Sequence, residues 1–271
     1  MKFTDSNRQM RPASDAERKA LGIPPAYFDV LIAVDPKADL IATATIKTKS
    51  GKIKTFYRYS KSFIAGQADK KWARVRKLGA KAEKIEARLT KDCTSGDDIA
   101  VAQSARLIML TGMRNGNPPQ GEGESYGASS LLMSHISLSG DTITFDFIGK
   151  KGVAQHYVLT DSLLASYVRE RRSRSETRLF PHDANATLKY LKSIGAAKCH
   201  DFRTWRANEF ASILVDELVK DGIPTSKKGI KLLKKTVATA VGAMLGNNAS
   251  QAMKSYISPK VWEKVDQEET E

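Results

Sequence analysis

The feature that most constrains the fold is the run of helical patterns in the second half of the chain. Apolar residues recur at helical spacing over 163–172, 184–194, 206–219 and 230–245. The first sixty residues read differently. Tyr27 to Val34 is rich in aromatic and branched residues, Leu40 to Lys47 alternates, and Ile53 to Tyr59 follows a turn signal at Ser50-Gly51. Before them lies a polar lead with one short helix, Ser14 to Leu21. Ser14 and Glu17 have the form of a capping box, and Gly22-Ile23-Pro24-Pro25 stops the helix. The expectation is an α+β protein with a small β-rich N-terminal domain, 1–78, and a larger, mainly α-helical domain, 79–271. Lys77-Leu78-Gly79-Ala80 marks the boundary, after a basic helix from Lys61 to Leu78.

Charge narrows the partners. Among 271 residues, 44 Lys and Arg stand against 30 Asp and Glu, a formal net charge of +14. Such an excess is the electrostatic footprint of a polyanion ligand, with nucleic acid the default. Cys93 and Cys199 make no metal-ligand spacing and suit a reducing compartment. No apolar run reaches membrane-spanning length, and the first 22 residues lack the apolar core of a secretory signal. A soluble intracellular protein is expected.

Several cations and one tyrosine then stand at special places. An apolar helix from Ile99 to Leu110 ends at Thr111-Gly112-Met113-Arg114-Asn115-Gly116, which puts Arg114 just beyond a buried helix end between glycines. Residues 117–127 read as a loop. Strands flank Gly149-Lys150-Lys151-Gly152, a hairpin with lysines at its tip. Arg203 lies in His200-Asp201-Phe202-Arg203-Thr204-Trp205, just before the helical pattern over 206–219, where a helix N-terminus and an arginine together suit a phosphate. Near the end, Leu245-Gly246-Asn247 breaks a helix. Ser250 opens a further turn or two, and Pro259 closes it, so Tyr256 sits on a short segment between two breaks. A phenol flanked by cations can serve as a nucleophile. In the N-terminal part, Thr55, Tyr57 and Tyr59 share one face of a strand, and Lys54, Phe56 and Arg58 the other. A strand face of this kind suits a groove of duplex DNA.

In order, Phe-Ile-Gly-Lys-Lys at 147–151, His-Asp-Phe-Arg-Thr at 200–204 and Leu-Gly-Asn…Lys-Ser-Tyr-Ile at 245–257 resemble the type IB DNA topoisomerases, above all the compact poxvirus-like and bacterial enzymes. The resemblance covers nearly the whole chain and extends to Ile23-Pro24-Pro25-Ala26-Tyr27 and Lys54 to Tyr59 in the small β-domain. It implies that Tyr256 is the nucleophile, Arg114 and Arg203 the two catalytic arginines, and Lys150 the general acid, with Lys151 the neighbouring alternative and a DNA contact. Asn247 stands where the viral pattern has histidine. It can donate a neutral hydrogen bond to a phosphate oxygen but carries no charge. Tyr57 and Tyr59 match strand tyrosines that face DNA. His200 matches no catalytic residue of the family.

The resemblance also implies relaxation of supercoils of both signs through a 3′-phosphotyrosyl intermediate, strand swivelling and religation. It implies no metal, no ATP and no other cofactor, and a monomer whose two lobes clamp duplex DNA in a cytoplasmic, nucleoid-associated or viral DNA compartment. Closure of the clamp is expected to assemble the site. Tyrosine recombinases share this arginine–lysine–arginine–tyrosine chemistry. They usually carry a helical N-terminal domain, whereas this one reads β-rich.

Overall fold

A computed structural model describes residues 9–48, 51–116 and 125–266. The lead 1–8, Ser50 of the expected turn and most of the expected loop over 117–127 lie outside the described residues. The chain is mixed α and β and separates into two compact units, Met1–Lys71 and Trp72–Glu271.

The first unit holds β1 (Met10–Pro12), α1 (Asp15–Ala20), β2 (Phe28–Ala33), β3 (Leu40–Lys47), β4 (Ile53–Tyr59) and the start of α2 (Lys61–Gly79). The four strands form one antiparallel sheet in the order β1-β2-β3-β4. The α1 capping box forms as its sequence anticipates, with the Ser14 side chain on the Glu17 N–H and the Glu17 carboxylate on the Ser14 N–H. Strand β1 is a correction to the reading of this stretch as lead and helix alone. Three residues are too short to show a period, and Pro12 is tolerated because β1 is an edge strand. Val30, Ile32, Ala42 and Ala44 make the core with Ile23. Phe56 packs against them, its ring edge-on to Tyr27 with centroids 5.2 Å apart. Alternation on β4 then leaves Tyr57 exposed.

The second unit begins inside α2 and contains α3 (Ala82–Ser95), α4 (Ile99–Thr111), β5 (Ile136–Ser139), β6 (Thr142–Gly149), β7 (Val153–Thr160), α5 (Ser162–Ser173), α6 (Ala184–Ser193), α7 (Cys199–Leu218), α8 (Lys227–Met244), α9 (Ala249–Ser255) and α10 (Glu263–Asp266). Helix α4 is apolar on nearly every side, as a buried helix must be. It starts at Asp98, whose side chain accepts from the Val101 N–H, and packs against α3, α6 and α7. One core gathers Leu107, Ile108, Phe145, Leu164, Phe180 and Phe202. A second joins Ala207, Ala211 and Val215 of α7 to Leu233, Val237 and Val241 of α8, and takes in Tyr256 and Trp262. Helix α7 thus belongs to both cores. No described helix is long and apolar enough to cross a membrane.

Candidate active site

Helix α4 ends at Gly112, and the chain turns through buried Met113 to Arg114. The Arg114 guanidinium donates from Nη2 to Asn247 Oδ1 at 3.2 Å. Burial, and then the like charge of Arg203, lower its pKa. The Tyr256 and Tyr157 hydroxyls act in the opposite direction.

Arg203 is placed differently from its sequence expectation. Helix α7 starts at Cys199 rather than near Arg206, because Lys198 is extended and Cys199-His200-Asp201 already forms the first turn. Arg203 therefore lies in the second turn, and its guanidinium is no partner of the free amides at the helix start. The residue is 1% exposed. Its Nη1 donates to the Gly112 carbonyl at 3.0 Å and its Nη2 to the Leu245 carbonyl. These bonds tie the ends of α4 and α8 to α7. The guanidinium carbon stands 5.4 Å from the centre of the Tyr256 ring. Nε of Arg203 is buried without a hydrogen-bond partner among the described residues.

Lys150 and Lys151 occupy the tip of the β6–β7 hairpin, where Gly149 pairs with Val153. Both lysines are exposed. Asn247 follows Gly246 at the end of α8. Its N–H donates to the Gly242 carbonyl at 2.8 Å, its Oδ1 takes the Arg114 bond, and its Nδ2 is buried without a partner among the described residues. Helix α9 is capped by Asn248, whose side chain accepts from the Gln251 N–H, so it begins before Ser250. Tyr256 is the residue that follows its last turn. The N–H of Tyr256 donates to the Ala252 carbonyl at 2.9 Å, and the residue is 5% exposed.

Arg114, Lys150, Lys151, Arg203, Asn247 and Tyr256 all line one cavity of about 830 Å³ in the second unit. All six belong to the second unit. Tyr57 and Tyr59 belong to the first unit and do not line it. Their rings stack with centroids 6.4 Å apart, and Tyr59 stacks in turn on Phe63 at 4.9 Å.

His200 also lines the cavity, though its sequence context set it aside. The available signal was its i, i+3 spacing to Arg203, which puts both side chains on one helix face. Its ring centroid is 5.5 Å from that of Tyr256. The residue keeps much of its surface open to the cavity. Even so, the surrounding protein and then the charges of Arg203 and Arg114 lower its pKa, against its own backbone and Asp201. Asp201 itself is buried and held by Arg74 at 3.1 Å. The Cys199 thiol is pushed up by burial to about 11 and stays protonated at neutral pH.

Asn208 was also missed. It joins α7 to the chain around Tyr256, with Nδ2 donating to the Tyr256 carbonyl at 2.8 Å and Oδ1 accepting from the Ser258 N–H at 2.7 Å. The cavity thus offers four cations, one phenol, one imidazole and no carboxylate among its lining residues. Such a set of groups is chemically suited to an oxyanion. No group of three potential metal-ligating side chains occurs among the described residues.

Residues 60–271 match the family model described as eukaryotic DNA topoisomerase I, catalytic core. The chain belongs to the type IB DNA topoisomerases. The DNA topoisomerase 1B of Acanthamoeba polyphaga mimivirus is 26% identical, over 94% of this chain and 81% of its own length. As a type IB topoisomerase the protein is an enzyme, an isomerase that binds DNA.

Proposed function

We propose that the protein relaxes positively and negatively supercoiled duplex DNA by cutting one strand through Tyr256. The observation that carries this reading is the convergence of Arg114, Lys150, Arg203, Asn247 and Tyr256 on one cavity from four separate stretches of chain. The Tyr256 oxygen attacks a backbone phosphorus, and its proton passes to the His200 imidazole, the neutral base beside it. Arg114, Arg203 and Asn247 hold the charge that gathers on the phosphoryl oxygens. The 5′ oxygen leaves with a proton from Lys150, since an alkoxide departs poorly unaided. A 3′-phosphotyrosyl bond stores the energy of the broken phosphodiester. The cut strand swivels, the 5′ hydroxyl attacks, and each proton returns. Neither ATP nor a metal ion enters this cycle.

In this reading the N-terminal domain, 1–78, lays Tyr57 and Tyr59 against the duplex, and the catalytic domain, 79–271, adds Lys151 beside Lys150. The two clamp the DNA, and one chain suffices. The test is relaxation of plasmids of both supercoil signs in EDTA without nucleotide, with Tyr256→Phe alongside. Wild type is expected to relax both and the variant neither. A variant that relaxes DNA at the wild-type rate removes Tyr256 from the reaction, and a wild type that acts only on paired specific sites favours a recombinase.

A further inference from the structure

Gln155 touches two of the stretches that meet at the cavity, yet it does not line the cavity itself. It lies on β7, is 5% exposed, and faces two glycines. One is Gly149, immediately before Lys150. A Cβ there would fall 2.7 Å from Gln155 Cγ and 3.2 Å from its Cδ. The other is Gly246, immediately before Asn247. A Cβ there would fall 2.5 Å from Gln155 Oε1 and 2.8 Å from its Cδ. Both approaches are closer than any real Cβ tolerates, so the amide fills the space that the two missing side chains leave.

The amide is also fixed from behind. Its Oε1 accepts from the Tyr157 hydroxyl at 3.3 Å, and its Nε2 donates to the Ala154 carbonyl at 3.1 Å. Gln155 and Tyr157 further share the walls of a small void with Arg114, Gly149 and Lys150. The strands of the hairpin are paired up to Gly149 and Val153, and the Ile148 carbonyl accepts from the Tyr126 N–H at 2.8 Å, but Lys150 and Lys151 at the tip make no ion pair among the described residues.

We infer that Gln155 is a positioning residue that sets the Lys150 hairpin in register with the Asn247 turn, so that the proton donor meets the phosphate held by the rest of the site. It acts through Lys150 and touches no reacting atom. The inference rests on the proposed role of Lys150, and it separates leaving-group protonation from the remaining chemistry. Moving Lys150 slows departure of a 5′ oxygen. It leaves untouched a 5′ sulfur, which departs as a thiolate without a proton.

The experiment is single-turnover cleavage by the full chain of two duplexes, one with the normal phosphodiester and one with a 5′-bridging phosphorothiolate at the cleavage position. Gln155→Ala is expected to cleave the oxygen substrate about 100-fold more slowly than wild type, the size of a lost general acid, and the sulfur substrate at close to the wild-type rate. Equal slowing on both substrates, or none on either, overturns the inference. Gly149→Ala guards against a fold effect. Gly149 has an ordinary extended backbone, and its added Cβ meets chiefly Gln155. The same selective loss is expected, and Gly149→Ala should cost nothing further in a Gln155→Ala background. Full additivity of the two losses overturns the coupling. A wild type that forms no covalent adduct with either duplex overturns the topoisomerase chemistry itself, a result distinct from any pattern among the variants.

Discussion

Asn208 holds the backbone on both sides of Tyr256, donating to its carbonyl at 2.8 Å and accepting the Ser258 N–H at 2.7 Å. Its Nδ2 also reaches the Thr204 carbonyl at 2.6 Å, one turn back along α7 and next to Arg203. The nucleophile and the buried arginine are therefore referenced to the same helix.

Asn208→Ala should lower stability by about 1–3 kcal/mol, the cost of leaving buried backbone groups without partners. It should also slow formation of the covalent adduct at least tenfold, a loss of about 1.4 kcal/mol in transition-state stabilisation. Urea unfolding together with single-turnover cleavage at saturating protein measures both. A destabilised variant that cleaves at the wild-type rate would separate Asn208 from the chemistry.

Arg203→Lys should behave as a severe substitution. The guanidinium serves Gly112 and Leu245 with two separate nitrogens, and an ammonium on a flexible stem cannot reproduce that fork. Cleavage should fall by about 100- to 1,000-fold, the range for loss of one charge-stabilising donor. The melting temperature should fall with it, because the ends of α4 and α8 lose their tie to α7. A lysine variant with wild-type melting would contradict the structural half of this expectation.

Stability should fall as pH drops below neutrality, and His182 is one cause. Burial lowers its pKa first, with Arg178 acting in the same direction and Asp98 and Asp183 against it. Nε2 is in hydrogen-bonding contact with Ser104 and Thr187 at 2.9 and 3.0 Å. The unfolded chain takes up this proton near pH 6.5, and the folded chain only below that. Stability is therefore full above about pH 6.5 and declines as pH falls through the folded-state pKa. Denaturation midpoints from pH 8 to 5 should show this slope, and His182→Gln should flatten it. An unchanged slope would place the titration elsewhere.

Tyr57→Ala should weaken binding without altering chemistry. Tyr57 is 52% exposed and stacked on Tyr59 in the first unit, apart from the residues that line the cavity. Its loss should raise the protein concentration needed for half-maximal cleavage several-fold, as one stacking or phosphate contact worth about 1 kcal/mol would. The rate at saturation should be unchanged. A lowered saturating rate would tie this strand to the reacting groups.

Much of the frame was legible because punctuation marks it. Ser14 with Glu17 and Gly149-Lys150-Lys151-Gly152 each specify a local geometry that forms as written. The positions of Arg114 and Tyr256 followed from glycine and proline nearby. The hidden part is long-range. Arg203 binds a carbonyl 42 residues away, and Asn208 binds one 48 residues away. Carbonyls carry no residue identity, so no pattern announces such a bond. Gln155 was hidden for the same reason, since its partners are two absent side chains. His200 matches no catalytic residue of the family, and its three-residue spacing from Arg203 was the one sign in the sequence that the two share a helix face.

Two atoms in the cavity wall set different demands against each other. Arg203 Nε and Asn247 Nδ2 are buried donors with no partner among the described residues. Each unmet donor costs the empty fold about 1–3 kcal/mol. Arg203 offsets this cost through the two carbonyls it holds, so selection for heat tolerance alone would act first on Asn247, and with its amide would go one grip on an oxyanion. At Asn247 thermostability and catalytic competence are therefore opposing traits, and directed evolution for either should be read at that position.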